Sequence, residues 1–279
     1  MSTTTEPAAP GAAGGGGRAF GVALVAVFAA AVWATLAQHA SMDATGGMPM
    51  AGGWTLSAGW LRPCGWRAGR AFAAFAAFAG MWGAMTVTMM LPVLAPVLWR
   101  YRQTLGMVGA ARAAAFVAVA GAGYFSVWVA LGVVAFPVGR ALAVEATRLP
   151  ALAAAMPFAA GALVIGAGAL QFSGWKMRRL ACCRHAPAGA GACSVAAETG
   201  AAWRHGVRAA RRCGACCGNL MAIALAAGVM DLRVMAVVTV AIAAERLAPA
   251  GGRVARIVGG VAIGAGATMI ACAAGGLAA

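Results

Sequence analysis

The sequence predicts an all-α fold, a polytopic membrane helix bundle of about seven transmembrane helices, N-terminus inside and C-terminus outside. Three observations predict it. Hydrophobic residues fill 63% of the 279 positions and charged residues only 10%, with a mean hydropathy of +0.85. A soluble domain carries roughly a quarter charged residues to cover its surface, whereas lipid accepts apolar side chains directly. The apolar residues fall in stretches near the length that crosses a bilayer, about 20 residues. The net charge of +15 comes from twenty arginines and Lys176 against six acids, and these bases are unevenly placed along the chain.

Residues 1–17 have no periodicity and few large apolar side chains, and they read as a disordered tail. Residues 18–279 form the transmembrane helical domain. The apolar stretch after Arg18 is longer than the core of a signal peptide. It also lacks a small-x-small cleavage site before Gln38-His39, so it reads as a retained first helix. The spans are expected near 19–38, 70–98, 112–139, 153–175, 214–230, 233–248 and 256–275. The fifth and sixth are short, and Met230-Asp231-Leu232-Arg233 joins them in a tight hairpin. The longest soluble segments are an outer loop, 39–69, and an inner loop, 176–212. Trp54, Trp60 and Trp66 in the outer loop suit an interfacial belt.

Orientation follows from the bases. With the N-terminus inside, fifteen of the 21 fall on the inner side and six on the outer, the bias that positive-inside insertion requires. The expected location is therefore the bacterial inner (cytoplasmic) membrane, crossed several times. A basic chain raises the question of nucleic acid, but no such binding motif is present. The arginines suit topology and anionic lipid instead. There is no Walker loop, no GxSxG and no HExxH, which argues against ATP-driven pumping and conventional hydrolysis. A non-enzymatic role is favoured.

Sulfur is the chemistry that remains. Met81, Met85 and Met89 recur every fourth residue, so their thioethers share one helical face, with Met90 beside them. Thioethers are soft donors that suit Cu(I), although methionine also packs cores well. Pro92 follows and cannot donate to the carbonyl of Thr88, which predicts a kink with a free acceptor. Cys213, Cys216 and Cys217 stand at i, i+3 and i+4 on one face, and Met221 extends that face by a turn. Read as the start of the fifth helix, they would sit beside Arg211, Arg212 and a positive helix end, which together favour thiolates. The inner loop adds Cys182, Cys183 and His185, with His205 read as an exposed loop residue. The flanking helices enter from the same side, so Cys183 can neighbour Cys213. In the outer loop, His39, Met42, Asp43, Met48 and Met50 lie close enough in sequence to collect copper ions. Glu245 is a charge near the inner end of helix six, where pairing with Arg246 or snorkelling would account for it.

Several of these segments carry a resemblance. Residues 81–96, MWGAMTVTMMLPVLAP, resemble the MWxxMxxxMMLPxxxP signature of a bacterial family known as predicted metal-binding integral membrane proteins, also catalogued as a domain of unknown function. Gly123 to Trp128 resembles its GYxxVW, and Lys176 to Pro187 its KxxCLxxCRxP loop. Cys213 to Cys217 with Leu220-Met221 resembles CxGCCxxLM, Gly228-Val229-Met230 resembles GGVMN, and Glu245-Arg246-Leu247 resembles EKxxP. The order is kept over about 70–275. Three positions depart from the family: Arg179 stands at the first loop cysteine, Gly218 at a tryptophan, and Ala209 at a histidine. The resemblance implies a membrane fold and a metal.

Together these readings lead to one expectation. The chain binds and transfers or transports a soft metal ion, copper first and zinc second. Its expected partners are the lipid bilayer and either a metallochaperone or another membrane protein, with no nucleic acid. The competing readings are a membrane thiol oxidoreductase and a non-catalytic assembly subunit of a membrane complex.

Overall fold

The computed structural model describes residues 12–43, 47–49, 55–57, 68–106, 108–185, 198–228 and 231–278. The described residues are helical apart from one small ribbon and short connections. In chain order the elements are α1 (Ala12–Asp43), β1 (Gly47–Pro49), β2 (Thr55–Ser57), α2 (Ala68–Thr104), α3 (Ala110–Arg148), α4 (Pro150–Leu170), α5 (Gly174–His185), α6 (Thr199–Gly228), α7 (Leu232–Leu247) and α8 (Gly251–Ala278). The strands β1 and β2 pair antiparallel, with Gly47 opposite Ser57.

Among the described residues, five stretches are long and apolar enough to cross a membrane: Gly17–Ala40, Phe78–Thr104, Ala110–Arg148, Pro150–Leu170 and Gly251–Gly275. Two of the seven expected spans are not among them, for physical reasons. The 16 residues of α7 rise only about 24 Å at ~1.5 Å per residue, short of a hydrocarbon core of about 30 Å. The first half of α6 carries Arg204, Arg208, Arg211 and Arg212, all exposed. That segment was expected to be part of a loop, because its arginines interrupt the apolar run. Instead the helix starts at Thr199 and is amphipathic, with Ala202, Gly206, Ala210 and Cys213 buried opposite the arginines. The inner loop also contains α5. At the other end, α1 begins at Ala12, inside the segment expected to be a tail. Trp54, Trp60 and Trp66 lie outside the described residues.

Local chemistry explains the joints. Pro150 opens α4 at a position where its missing N–H is not needed, and Leu149 N–H caps α3 on Glu145 O at 2.9 Å. Asp231 of the hairpin caps α7: its Oδ1 accepts from the N–H groups of Arg233 (2.7 Å) and Val234 (3.3 Å). Pro92 and Pro96 lie within α2, and the helix continues past both to Thr104.

Small residues hold the helices together. Gly161 and Gly168 of α4 meet Gly266 and Gly259 of α8 in antiparallel order. A Cβ at Gly168 would fall 2.9 Å from Gly259 O, and one at Gly266 would fall 2.7 Å from Gly161 O. Without methyl groups the two backbones touch, which substitutes for the hydrophobic effect that lipid does not supply. Gly123 of α3 and Gly206 of α6 form a second such crossing, where a Cβ at Gly123 would lie 2.5 Å from Trp203 O. Between α2 and α3, Trp82 Nε1 donates to Trp128 O at 2.8 Å, with its ring filling the space over Gly132. The more peripheral α1 leans on α2, where Thr35 and Thr88 hydroxyls stand 3.5 Å apart.

The α3–α6 crossing predicts a directional result. At Gly206 an added Cβ would collide with Ala120 O and Tyr124 N, whereas at Gly214 it would meet nothing. Gly206→Ala should therefore destabilise the bundle by about 1–3 kcal/mol, as overpacking does. Gly214→Ala should be neutral or stabilise by a few tenths of a kcal/mol, since alanine is the better helix former. Thermal unfolding of the two variants in detergent, followed by circular dichroism, compares them directly.

Candidate functional site

The buried face of α6 presents the thiols. Cys213, Cys216 and Cys217 have no solvent exposure. Cys213 Sγ and Cys217 Sγ are 4.0 Å apart. Cys216 lies against Cys217 on one side and against Cys183 of α5 on the other. Half-buried Cys183 donates through its Sγ to Arg212 O at 3.2 Å. The four sulfurs thus form a row from the edge of the bundle inward: Cys183, Cys216, Cys217, Cys213. At the inner end Arg246 of α7 donates through Nη1 to Cys213 Sγ at 3.2 Å. The Tyr124 side chain of α3 stands near the same sulfur. Contact with Cys216, followed by burial, pushes the Cys183 thiol above its ordinary pKa.

Under this row lies a polar network in an otherwise apolar core. Lys176 of α5 and Glu245 of α7 are buried, with side chains 1% and 0% exposed, and Nζ stands 2.8 Å from Oε2. Lys176 Nζ also donates to Cys216 O at 2.6 Å and to Asn219 Oδ1 at 3.2 Å. Gln171, just past the end of α4, donates through Nε2 to Glu245 Oε1 at 2.6 Å, and Asn219 Nδ2 donates to Ala167 O at 3.2 Å. The sequence paired Glu245 with Arg246. The structure instead pairs it with Lys176, because neighbouring residues on a helix point about 100° apart and the two serve different partners. Arg246 then takes the place beside the thiols that Arg211 and Arg212 were expected to fill. Cys213 sits in the middle of α6, so no helix N-terminus acts on it.

Among the thioethers, Met85, Met89, Met90 and Met221 are buried and Met81 is half-buried; the four buried ones belong to the same continuous core as the thiols. Cys182 is exposed, one residue away from Cys183 and outside the row. His185 is the last residue of α5, and its side chain lies outside the described residues. The outer-loop set is dispersed: His39 is half-buried in α1, Met42 and Asp43 end that helix, Met48 stands in β1 opposite Leu56, and Met50 lies outside the described residues. Among the described residues, no three His, Cys, Asp or Glu side chains form a set disposed to hold one ion. His205 is not in a loop: it lies on α6, stacked on Tyr101 with ring centroids 4.4 Å apart. Burial, then Arg212 and Arg208, lower its pKa and favour the neutral imidazole.

Sequence reasoning passed over Gln171, Lys176, Asn219, Arg246 and Tyr124 as members of this site. A signal for three of them exists: polar residues inside or beside apolar spans are costly and seek one another.

The fold and these residues define a class of protein, a helical bundle with apolar helices suited to a membrane and sulfur donors buried in its core. Residues 79–269 match the PpoB2 family, described as a copper chaperone, and the chain belongs to that family. The matched stretch lies inside the 70–275 region that carries the sequence motifs and gives the metal-binding resemblance a copper-related setting. No curated protein and no solved structure matches the chain.

The ion pair makes a prediction of its own. Lys176→Met should strand the Glu245 carboxylate and lower stability by about 3–5 kcal/mol. Removing both charges, in Lys176→Met/Glu245→Leu, should recover most of that loss. Unfolding midpoints in detergent test the coupling, and equal losses in the single and double variants would refute it.

Proposed function

We propose that the chain is a membrane copper chaperone that binds Cu(I) as cargo between pairs of the thiols of Cys213, Cys216 and Cys217 and exchanges it with a partner through Cys183. The observation that carries this reading is the row of four neighbouring thiols, three buried and Cys183 half-buried, in a chain of a copper chaperone family. Thiolates and thioethers select Cu(I) over hard cations, and Cu(I) accepts sets of two or three sulfurs. Neighbouring sulfurs let one ligand bind before another leaves, so the ion can step along the row without being released to water.

Met81, Met85, Met89 and Met90, with Met221 beside the thiols, supply a second soft-donor surface. On this reading they pass copper toward the thiols from an outer collector made of His39, Met42, Asp43, Met48 and Met50. Cys182 and His185 flank the exit, where a soluble metallochaperone or another membrane protein receives the ion. The chain sits in the bacterial inner membrane with its N-terminus inside. The second half of α6 and the whole of α7 act as two short crossings, a role supported by the exposed apolar side chains Val237 and Val240 on α7. The same thiols would serve a thiol oxidoreductase, so the test must separate metal from electrons.

That test is metal content. Protein purified in detergent under anaerobic, reducing conditions and loaded with Cu(I) should retain copper through gel filtration. Cys213→Ser/Cys217→Ser should abolish retention. Met85→Leu/Met89→Leu should slow loading while leaving the final content unchanged. Loss of metal-free thiols in stoichiometric two-electron steps, without copper retention by the wild type, would favour the oxidoreductase instead.

A further inference from the structure

Among the described residues, three ionised side chains stand at the thiol row or on its backbone. Two of them, Lys176 and Glu245, neutralise each other at 2.8 Å. The third is Arg246. Its neighbour Glu245 is turned to Lys176 and Gln171, and Arg246 Nη1 is placed 3.2 Å from Cys213 Sγ. A guanidinium stays protonated throughout the accessible pH range. Arg204, Arg208, Arg211 and Arg212 are exposed, where water and salt screen them, whereas Arg246 is half-buried against the apolar core. The site therefore holds one net positive charge in a medium where an uncompensated charge is costly.

We propose that Arg246 sets the charge of the complex this site accepts, selecting a monovalent soft cation held between the thiolates of Cys213 and Cys217. The inference rests on the copper reading above and deepens it by assigning the residue that discriminates between ions. The charge balances. Two thiols each release a proton to solvent and leave two negative charges. One Cu(I) brings one positive charge, so the bis-thiolate complex carries a single negative charge that Arg246 cancels. A divalent ion on the same pair gives a neutral complex and leaves the guanidinium without a counter-charge. Geometry favours this pair: Cys213 and Cys217 are one helical turn apart with sulfurs 4.0 Å from each other, and Arg246 touches the first of them. Arg246 meets the ligand and not the metal, so its role is to tune specificity.

The experiment uses the full chain, reduced and in detergent, with Ag(I) as the monovalent probe and Zn(II) as the divalent one, each measured by competition against a chelator. The wild type should bind Ag(I) at Cys213 and Cys217, with binding lost in Cys213→Ser/Cys217→Ser. Arg246→Gln should weaken Ag(I) by roughly 10–100-fold, the range found when a group supporting a metal ligand is removed. Zn(II) binding should be unchanged or tighter. Arg246→Lys keeps the charge and should keep the preference for Ag(I). Equal losses for both ions would overturn the proposal, because a divalent ion on three thiolates has the same net charge and would respond in the same way. Loss of neither ion would overturn it too. Failure of the wild type to bind either ion at these cysteines would remove the copper reading and this inference together. Selective effects absent from Arg246→Gln, with wild-type binding intact, would remove this inference alone. Should Arg246→Gln not fold by circular dichroism, Arg246→Lys decides: a retained monovalent preference supports the proposal and a lost one overturns it.

Discussion

Lys176 brings three N–H donors into a core that offers no water, and each finds an acceptor: the carbonyl of Cys216, the side-chain oxygen of Asn219 and the carboxylate of Glu245. An ammonium buried without such partners would carry a large desolvation penalty. Satisfied in this way, it becomes the joint of the lower bundle. It ties α5 to α6 and α7, while Gln171 and the Asn219–Ala167 bond add α4. The joint also fixes chemistry. It holds the backbone of Cys216 directly, and through Glu245 it sets the rotation of α7. Because Arg246 is the next residue, the rotation that delivers Glu245 to Lys176 also delivers Arg246 to Cys213.

The glycine crossings do complementary work from the other side. Gly206 lets α3 press its Ala120 and Tyr124 backbone against α6, and Gly123 lets α6 return the contact at Trp203. Tyr124 follows Gly123 in sequence, so the close crossing of two backbones brings its side chain to Cys213. The amphipathic first half of α6 completes the arrangement. Its arginines stay in the solvent phase while its small residues enter the crossing, and the helix arrives at Cys213 already anchored. The thiol face is thus defined by a charged joint on one flank and a glycine contact on the other.

Much of the local geometry was legible in the sequence, since it follows from helical periodicity alone. The spacing of Cys213, Cys216 and Cys217 placed them on one face, and that face is buried. Met85 and Met89 are likewise buried together, and the proximity of Cys183 to the second cysteine group followed from topology. Two readings that depended on the far side of a contact failed. The arginines between 204 and 212 were read as a loop because charge interrupts hydropathy, although a helix with one dry face tolerates them. The Lys176–Glu245 pair joins residues far apart in sequence, and nothing local reveals it. The nearer Arg246 was the obvious partner and the wrong one. The span count differs for a related reason: among the described residues five stretches qualify by length and composition, and α7 is apolar but shorter than a hydrocarbon core.

Electrostatics separates the two sulfur surfaces on the proposed reading. Met81, Met85, Met89 and Met90 are neutral donors in an apolar core, and a bound monovalent cation there would keep its whole charge. No acid stands among these residues in α2 to offset it. The thiols differ because each can shed a proton as it binds, turning the ligand set negative beside a fixed guanidinium. An ion is therefore held more weakly at the thioethers than at the thiols, even where the thioethers outnumber them. That ordering gives a direction, from methionine to cysteine, and makes Cys213 its electrostatic end. Release then requires a competing thiol, and within the row the sulfur nearest the edge of the bundle is Cys183. On the proposed reading, a partner that offers thiolates at that point would withdraw the ion by stepwise exchange between neighbouring sulfurs.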